Sequence, residues 1–345
     1  MTRRATSQDV ADRAGVSRSA VSLVLNGRGA GNISAANQAA ILAAARELDY
    51  RPNPVALSLR TQRSATIGVV TDAIATAGYA GRLLQGASER AAAHGYLLLV
   101  IDTQRDPSQE ARAFDTLRDR QVDGFLFAAM SLRSYEPSPV GSGAPIVLAN
   151  CFDPDDRVLG FVPDEIAGGA AAARHLVERG HRDIVLLAGT PDVVATHLRE
   201  QGYLEVMAAA GLAVPPSVVG GWDIEQGHAA ATHVLTTRDP LPTALICAND
   251  RAAAGAVLAA ANLGLSVPGD LSVVGYDDDQ NVAPTMVPAL TTVRLPHREM
   301  GEAAMQALLD RMVEGADSPI AGRVLLDCPL VVRDSVAAPA PRPGR

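Results

Sequence analysis

From Ala65 onward, short apolar runs alternate with longer amphipathic stretches. The runs that predict strands are 66–70, 96–101, 122–127, 146–149, 184–187, 218–220, 244–247 and 271–274. The stretches that predict helices are 83–94, 109–120, 199–210, 226–236 and 252–263. Nearly continuous apolar strands between amphipathic helices are typical of parallel sheets that are covered on both faces. The alternation extends over about 270 residues, which exceeds a single core, so the sequence predicts two similar lobes.

The start of the chain has a different pattern, which predicts three short helices. Thr6 and Asp9 have the spacing of a capping box, and Gly15 can end the first helix in a left-handed conformation. Ser17 is placed to cap a second helix, and Ser34 a third. We therefore expect a small all-α head before the α/β region.

The second predicted helix has two distinct faces. The apolar face, which we expect to pack inward, comprises Ala20, Val21 and Val24. The opposite face comprises Arg18, Ser19, Ser22 and Leu23. A helix that enters the DNA major groove has this arrangement, so the stretch favours a helix–turn–helix. An ordinary helical hairpin with a solvated face is the alternative reading of these residues alone.

The distribution of charge supports the DNA interpretation. The whole chain has a formal net charge of −8, but residues 1–63 contain nine arginines and only four acidic residues. A basic head on an acidic body suits a DNA-binding arm attached to a larger domain.

A short segment joins the head to the body. Pro52 stops the preceding helix, Asn53 is a good N-cap, and Pro54 fits the first helical position, so a short helix to about Arg60 is possible. A helix of this length is unstable alone in water. The segment is either a plain linker or a hinge helix that folds on DNA, with Leu59 wedged between base steps of the minor groove.

Polar side chains recur where the predicted strands of the body end. They are Thr71, Asp72, Asn150, the stretch 190–199, Trp222, Asp223, Asn249, Asp250, Tyr276, Asp277 and Asp278. Ligands of parallel sheets bind beyond the carboxyl ends of the strands. An aromatic plate among several hydrogen-bonding groups suits a polyhydroxylated ligand such as a sugar, although each residue taken singly could be a strand-end cap.

Several other classes of protein lack support in the sequence. It contains no phosphate loop, no GxGxxG and no GxSxG, and its histidines lack metal-ligand spacing, so we predict no enzyme, no cofactor and no metal. Cys151, Cys247 and Cys328 are isolated, as expected of reduced thiols. Without a secretory segment or a long apolar run, we expect a cytoplasmic protein. The main rival is an α/β sugar-binding protein or enzyme whose head has another role.

Together these stretches resemble the lac-repressor family of bacterial transcription regulators over almost the whole chain. The motifs that carry the resemblance are DVA at 9–11, AGVS at 14–17, ELDY at 47–50, ATIG at 65–68, GHRDI at 180–184, AND at 248–250, SVVGYDD at 272–278 and LTTV at 290–293. The resemblance implies a helix–turn–helix head, a hinge helix and a two-lobed core like periplasmic sugar-binding proteins.

The domain boundaries follow from this organisation. We predict a helix–turn–helix domain over 1–51, a hinge over 52–63, an effector-binding and dimerisation core over 64–336 and a disordered, proline-rich tail over 337–345. Within the core, the first lobe is expected at about 64–164 and 295–322, and the second at about 165–294 and 323–336.

The resemblance also implies roles for individual residues. For DNA it implies base reading by Arg18, Ser19 and Leu23, phosphate or groove contacts by Ser17 and Ser22, and hinge contacts by Asn53, Ala56 and Leu59. For the effector it implies contacts by Asp72, Tyr79, Asn150, Arg199, Trp222, Asn249 and Asp277. The sequence departs from the family pattern in the longer loop at 29–31 and in Tyr79-Ala80, where an aromatic pair is usual.

The sequence thus predicts a ligand-responsive repressor that binds a pseudo-palindromic operator as a homodimer. We expect a sugar as the effector, bound between the lobes. A purine-like or other non-sugar effector is the alternative.

Overall fold

The computed structural model describes residues 5–51, 63–74, 81–136, 143–314 and 322–340. The chain divides into two compact units, residues 1–65 and residues 66–345. Four predicted site residues lie outside the described residues: Asn53, Ala56, Leu59 and Tyr79.

The first unit contains three helices, α1 (Ser7–Ala14), α2 (Arg18–Leu25) and α3 (Ala35–Glu47). Thr6 and Asp9 form the expected capping box, and Ser17 and Ser34 cap the next two helices. Gly15 ends α1 at φ 66°, in the left-handed region that glycine adopts without strain. A core of small and branched side chains, centred on the fully buried Val10, Val21 and Ile41, closes the unit.

The second unit contains two six-stranded sheets with helices on their faces. The strands of the first sheet are β1 (Thr66–Thr71), β2 (Leu97–Asp102), β3 (Gly124–Ser134), β4 (Ile146–Phe152), β5 (Gly160–Pro163) and β11 (Arg323–Leu326). The strands of the second sheet are β6 (Ile184–Ala188), β7 (Val218–Val219), β8 (Ala244–Cys247), β9 (Ser272–Asp277), β10 (Thr291–Arg294) and β12 (Leu330–Val331). The helices are α4 (Gly81–Ala93), α5 (Pro107–Asp119), α6 (Glu165–Glu178), α7 (Val194–Ala209), α8 (Ile224–Thr237), α9 (Asp250–Asn262) and α10 (His297–Glu314).

The topology confirms two parallel-sheet lobes. The strand order is β11-β5-β4-β3-β1-β2 in the first sheet and β12-β10-β9-β8-β6-β7 in the second. Among the described strands, the pairings are parallel except that of β10 with β12, which is antiparallel. The chain crosses from the first lobe to the second before α6, returns before α10 and crosses again after β11. The carboxyl ends of the strands in each lobe therefore form an edge where a ligand site is expected.

Two predicted boundaries are wrong in detail. The sequence predicts Arg323–Leu326 in the second lobe, but β11 pairs with β5 in the first sheet. It also predicts a disordered tail from residue 337, but the carbonyl of Ala337 accepts hydrogen bonds from His181 Nε2 at 2.8 Å and from Ser272 Oγ at 3.2 Å. These bonds attach the start of the tail to the second lobe.

Some elements were missed because they lack an amphipathic pattern. Helix α6 is rich in alanine and glycine and buries residues on several sides, from Gly168 to Leu176. Strand β2 departs from the expected coverage on both faces, because three of its apolar side chains are exposed: Leu97 is 73% exposed, Leu99 40% and Val100 43%. Within the described ranges, no helix combines the length and the apolarity needed to cross a bilayer.

Candidate functional site

The outward face of α2 has the predicted surface. Ser17, Arg18 and Ser19 are exposed, and Ser22 and Leu23 are half-buried. Ser17 and Ser22 also have structural roles, because Ser17 Oγ accepts the N–H of Ala20 at 3.2 Å and the Ser22 carbonyl accepts Asn26 Nδ2 at 2.5 Å. The face that the sequence assigns to DNA is therefore presented on a short, capped helix.

A cavity of about 310 Å³ lies between the two lobes of the second unit, at the carboxyl ends of the strands. Its first-lobe lining consists of Arg105, Met130, Ser131, Leu132 and Asn150. Its lining from the rest of the unit consists of Glu165, Thr190, Asp192, Val193, Ala195, Arg199, Trp222, Asn249, Arg251, Asp277 and Leu295. Five predicted effector residues are brought together here: Asn150, Arg199, Trp222, Asn249 and Asp277. The volume suits a small molecule.

Arg199 is the central cation of this cavity. It lies in the second turn of α7, and its Nε and Nη2 donate to the two carboxylate oxygens of Glu165 at 2.8 and 3.0 Å. Nη1 donates to the carbonyl of Ala248 at 2.6 Å. Its guanidinium carbon lies 3.6 Å from the centroid of the Tyr276 ring. Burial opposes the charge, but Glu165 and neighbouring groups raise the pKa of Arg199, so the side chain is a fixed cation.

Asp277 completes this cluster at the end of β9. Its Oδ1 lies 3.8 Å from Arg199 Nη2, and its φ of 104° is outside the regions that most L-residues adopt. Burial raises the pKa of Asp277 despite the nearby guanidinium. A strained polar residue in a cavity wall is typical of a binding site.

Trp222 forms the aromatic wall of the cavity. Its indole N–H donates to Thr190 Oγ1 at 2.9 Å, and its carbonyl accepts Asn249 Nδ2 at 3.0 Å. The ring also covers Gly189, where an added Cβ would lie 2.2 Å from Trp222 Cζ2. The ring is thus held against the residue that follows β6, and Trp222 lines the cavity.

Asn150 and Asp72 occupy different places in the first lobe. Asn150 adopts φ 55°, which asparagine tolerates, and its Nδ2 donates to the carbonyl of Ala129 at 3.0 Å. Asp72 is absent from the cavity lining. Its buried carboxylate instead accepts the N–H of Met130 at 2.7 Å and Arg133 Nε at 3.2 Å. The predicted direct contact of Asp72 with the effector is therefore replaced by support of the β3 segment that lines the cavity.

Sequence reasoning missed Glu165, Arg105 and Arg251 in the lining. Glu165 is the first residue of α6 and comes two residues after β5. It was missed because the sequence pattern predicts neither of these elements. Sequence reasoning also missed an apolar contact between the lobes beside the cavity, where Leu132 and Val162 of the first lobe pack with Ala195 of the second. This contact joins the lobes next to Arg199.

Comparisons with known proteins agree with this fold. The profile for bacterial regulatory proteins of the lacI family matches residues 6–53, and the profile for the periplasmic binding protein-like domain matches residues 173–336. The HTH-type transcriptional repressor CytR of Escherichia coli (strain K12) is 34% identical over 341 residues, which cover 97% of both chains. The HTH-type transcriptional repressor PurR of Proteus mirabilis (strain HI4320) is 33% identical over 338 residues, which cover 96% of this chain and 97% of that one.

Two solved structures extend the comparison. A Lac repressor dimer bound to operator and the anti-inducer ONPF matches with a TM-score of 0.82 and 29% identity, over 97% of this chain and 100% of that one. A complex of the transcriptional regulator CelR with cellobiose matches with a TM-score of 0.66 and 30% identity, over 96% and 100% respectively.

The head and the two-lobed core define a DNA-binding transcriptional repressor, not an enzyme. The chain belongs to the lacI family of bacterial regulatory proteins.

Proposed function

We propose that the cavity between the lobes binds a polyhydroxylated effector, a sugar in the first instance, and that its occupancy controls operator affinity. The observation that carries this proposal is the convergence of polar groups from both lobes around Trp222. Sugars present alternating hydroxyl groups and an apolar face, which match hydrogen-bonding side chains and an aromatic wall. A ligand that contacts both lobes favours one angle between them, and such coupling typically changes affinity about 5- to 150-fold.

A thermal-shift screen tests the effector class. The screen compares monosaccharides and disaccharides with nucleobases and nucleosides, because an aromatic wall beside amide groups also fits a purine. A true ligand raises the melting temperature by mass action. A sugar that does so supports the proposal, whereas stabilisation by nucleobases or nucleosides alone would replace the sugar with a purine-like effector.

Two variants test whether a ligand found in the screen binds in the cavity. Asp277→Asn keeps the size of the side chain but changes the cavity wall, and it is expected to reduce the shift. Asp310→Asn makes the same change on the exposed surface of α10 and serves as the matched control. A hit whose shift survives Asp277→Asn unchanged binds elsewhere.

The same proposal includes a homodimer on a pseudo-palindromic operator in the cytoplasm. The support for a dimer is the uncovered apolar edge of the first sheet at Leu97, Leu99 and Val100. Leu97→Glu is expected to shift the chain from dimer to monomer in light scattering, whereas Val214→Glu, at an exposed loop residue, is the control. A wild-type chain that is monomeric at micromolar concentration would contradict the dimer.

The hinge at 52–63 remains a proposal that rests on the sequence. Paired hinge helices are proposed to kink the operator through Leu59, which would let the head domains seat in the major groove. Leu59→Ala is expected to weaken operator binding in an anisotropy titration. Unaltered affinity in this variant would exclude the wedge.

A further inference from the structure

Glu165 is a buried carboxylate in the effector cavity with an unusually specific partner. It is the first residue of α6, and its side chain is 2% exposed. Both oxygens are engaged by Arg199, at 2.8 and 3.0 Å, in the bidentate geometry of a carboxylate with a guanidinium. Among the described residues that line the cavity, Arg199 is the one buried cation, and it is already paired with an anion.

The charges of the wall divide into a buried layer and a rim. The buried layer contains Glu165, Arg199 and Asp277, which line the same cavity. With Asp277 ionised this layer has one negative charge in excess, and with Asp277 protonated it is neutral. The rim residues Arg105, Asp192 and Arg251 are exposed, so solvent and salt screen them. In neither state does the buried layer offer a positive charge to an anionic ligand.

Arg199 cannot turn away from Glu165 toward a ligand without leaving several other contacts. Its guanidinium stacks on the Tyr276 ring, and Nη1 donates to the Ala248 carbonyl. Three of its five N–H groups are thus committed to hydrogen bonds among the described residues, and Nη2 also lies 3.8 Å from Asp277 Oδ1.

We infer that Glu165 is a positioning and specificity-determining residue, which orients Arg199 and cancels its charge so that the cavity selects uncharged effectors over phosphorylated or carboxylated ones. This inference rests on the proposed function of the cavity, and it adds a requirement on the charge of the effector. A buried guanidinium without a carboxylate partner would favour an anionic ligand group. The pair with Glu165 converts the same guanidinium into a neutral hydrogen-bonding platform.

Trp222 provides a direct probe of this charge, because it is the only tryptophan in the chain. Its ring centroid lies 5.8 Å from the Arg199 guanidinium carbon. Collisional quenching of its fluorescence by iodide reports access of an anion to the cavity, and quenching by acrylamide reports access of a neutral molecule. Neither measurement requires a known effector.

The expected result is a selective rise in iodide quenching when the carboxylate is neutralised. Glu165→Gln exposes one unit charge, which raises the local iodide concentration about threefold even if the cavity screens as well as bulk water. Acrylamide quenching should stay unchanged. Glu225→Gln removes an acid from the exposed first turn of α8, outside the cavity lining, and should leave both quenchers unchanged.

Two further variants separate charge from structure. Glu165→Asp keeps the charge and should quench like the wild type. The double variant Glu165→Gln/Arg199→Gln removes both charges of the pair, so the net charge of the cavity stays as in the wild type. It provides a second test if Glu165→Gln alone fails to fold. The double variant is expected to match the wild-type iodide quenching.

Two results would overturn the inference: unchanged iodide quenching in folded Glu165→Gln, or a marked fall in the double variant. The second result would mean that Glu165 does not cancel the charge of Arg199 in the wild type, so that the cavity already attracts anions. If iodide responds as expected while the thermal-shift screen finds no ligand, the proposed effector function fails and the charge assignment stands.

Discussion

Asn249 holds Trp222 against the cavity, since its Nδ2 donates to the Trp222 carbonyl oxygen at 3.0 Å. Its Oδ1 simultaneously caps α9 by accepting the N–H of Ala252 at 2.8 Å. One side chain thus connects the start of a helix to the aromatic wall of the proposed effector site. In the family resemblance this residue is a ligand contact, whereas the structure gives both of its polar atoms partners within the protein.

Asn249→Ala is therefore expected to lower the free energy of unfolding by about 1–2 kcal/mol, the usual cost of a lost N-cap. Urea denaturation measures this loss, and the emission maximum of Trp222 reports the released ring. Asn249→Asp keeps the capping oxygen but loses the donor, so it should retain most of the stability and still shift the emission. Equal stability of the alanine variant and the wild type would contradict the double role.

Asp72 supports the cavity from behind. Asp72→Ala leaves the N–H of Met130 and the Arg133 guanidinium without their acceptor, so we expect a loss of about 2–3 kcal/mol in the free energy of unfolding. Asp115→Ala breaks an exposed ion pair with Arg118 and is the matched control, with an expected loss below about 0.5 kcal/mol. Similar losses in the two variants would show that the buried position of Asp72 has no special importance.

The pH dependence of stability should contain a contribution from Asp250. Burial, together with the nearby Asp278 and Asp279, raises the pKa of this carboxyl to about 7, against hydrogen bonds from Thr292 and the N–H of Asp279 that lower it. An unfolded aspartate titrates near about pH 3.9. Between about pH 4 and pH 7 the folded state keeps a proton that the unfolded state has lost. Stability from this group therefore falls as pH rises through that window, by up to about 4 kcal/mol, and is level above it.

Urea unfolding at about pH 5 and pH 7.5 tests this sign, with Asp250→Asn as the non-titrating comparison. The wild type should lose more stability than the variant as the pH rises. His297 titrates with the opposite sign, because burial lowers its pKa to about 4, but it is present in both proteins. Parallel pH profiles would contradict the assignment to Asp250.

Arg18 is expected to read one base position of the operator. Arg18→Ala should cost about 1–3 kcal/mol on the preferred sequence and relax specificity at that position. Binding to a library of single-base operator variants measures this. Arg13→Ala is the matched control, because Arg13 pairs with Glu47 within the head. Uniform weakening across the library, with a smaller salt dependence, would instead make Arg18 a phosphate contact.

Local signals in the sequence were sufficient for much of the fold. The caps at Thr6, Ser17 and Ser34 lie where their spacing predicts them, because capping depends on a few neighbouring residues. Strands β1–β4 and β6–β9 followed from apolar runs between amphipathic helices, whereas β5, β10 and β11 did not. Helix α6 was missed because burial on several sides removes the amphipathic stripe on which such predictions depend.

Local signals in the sequence also predicted part of the cavity. Asn150, Arg199, Trp222, Asn249 and Asp277 lie within, at or shortly after the carboxyl-terminal parts of strands, and parallel strands bring their carboxyl ends together. The role of Asp72 was not predictable, because its partners at 130 and 133 belong to an irregular part of β3 that no local pattern reveals. The pairing of Arg199 with a distant glutamate likewise depends on how α6 and α7 pack.

The most direct test of the account measures operator affinity with and without a ligand that the thermal-shift screen identifies. Fluorescence anisotropy of an operator selected from random duplexes provides the affinity, at fixed salt because phosphate contacts are salt-dependent. We predict that saturating ligand changes the affinity about 5- to 150-fold and that Asp277→Asn reduces the response. A ligand that stabilises the core through the cavity but leaves operator affinity unchanged would contradict the central claim.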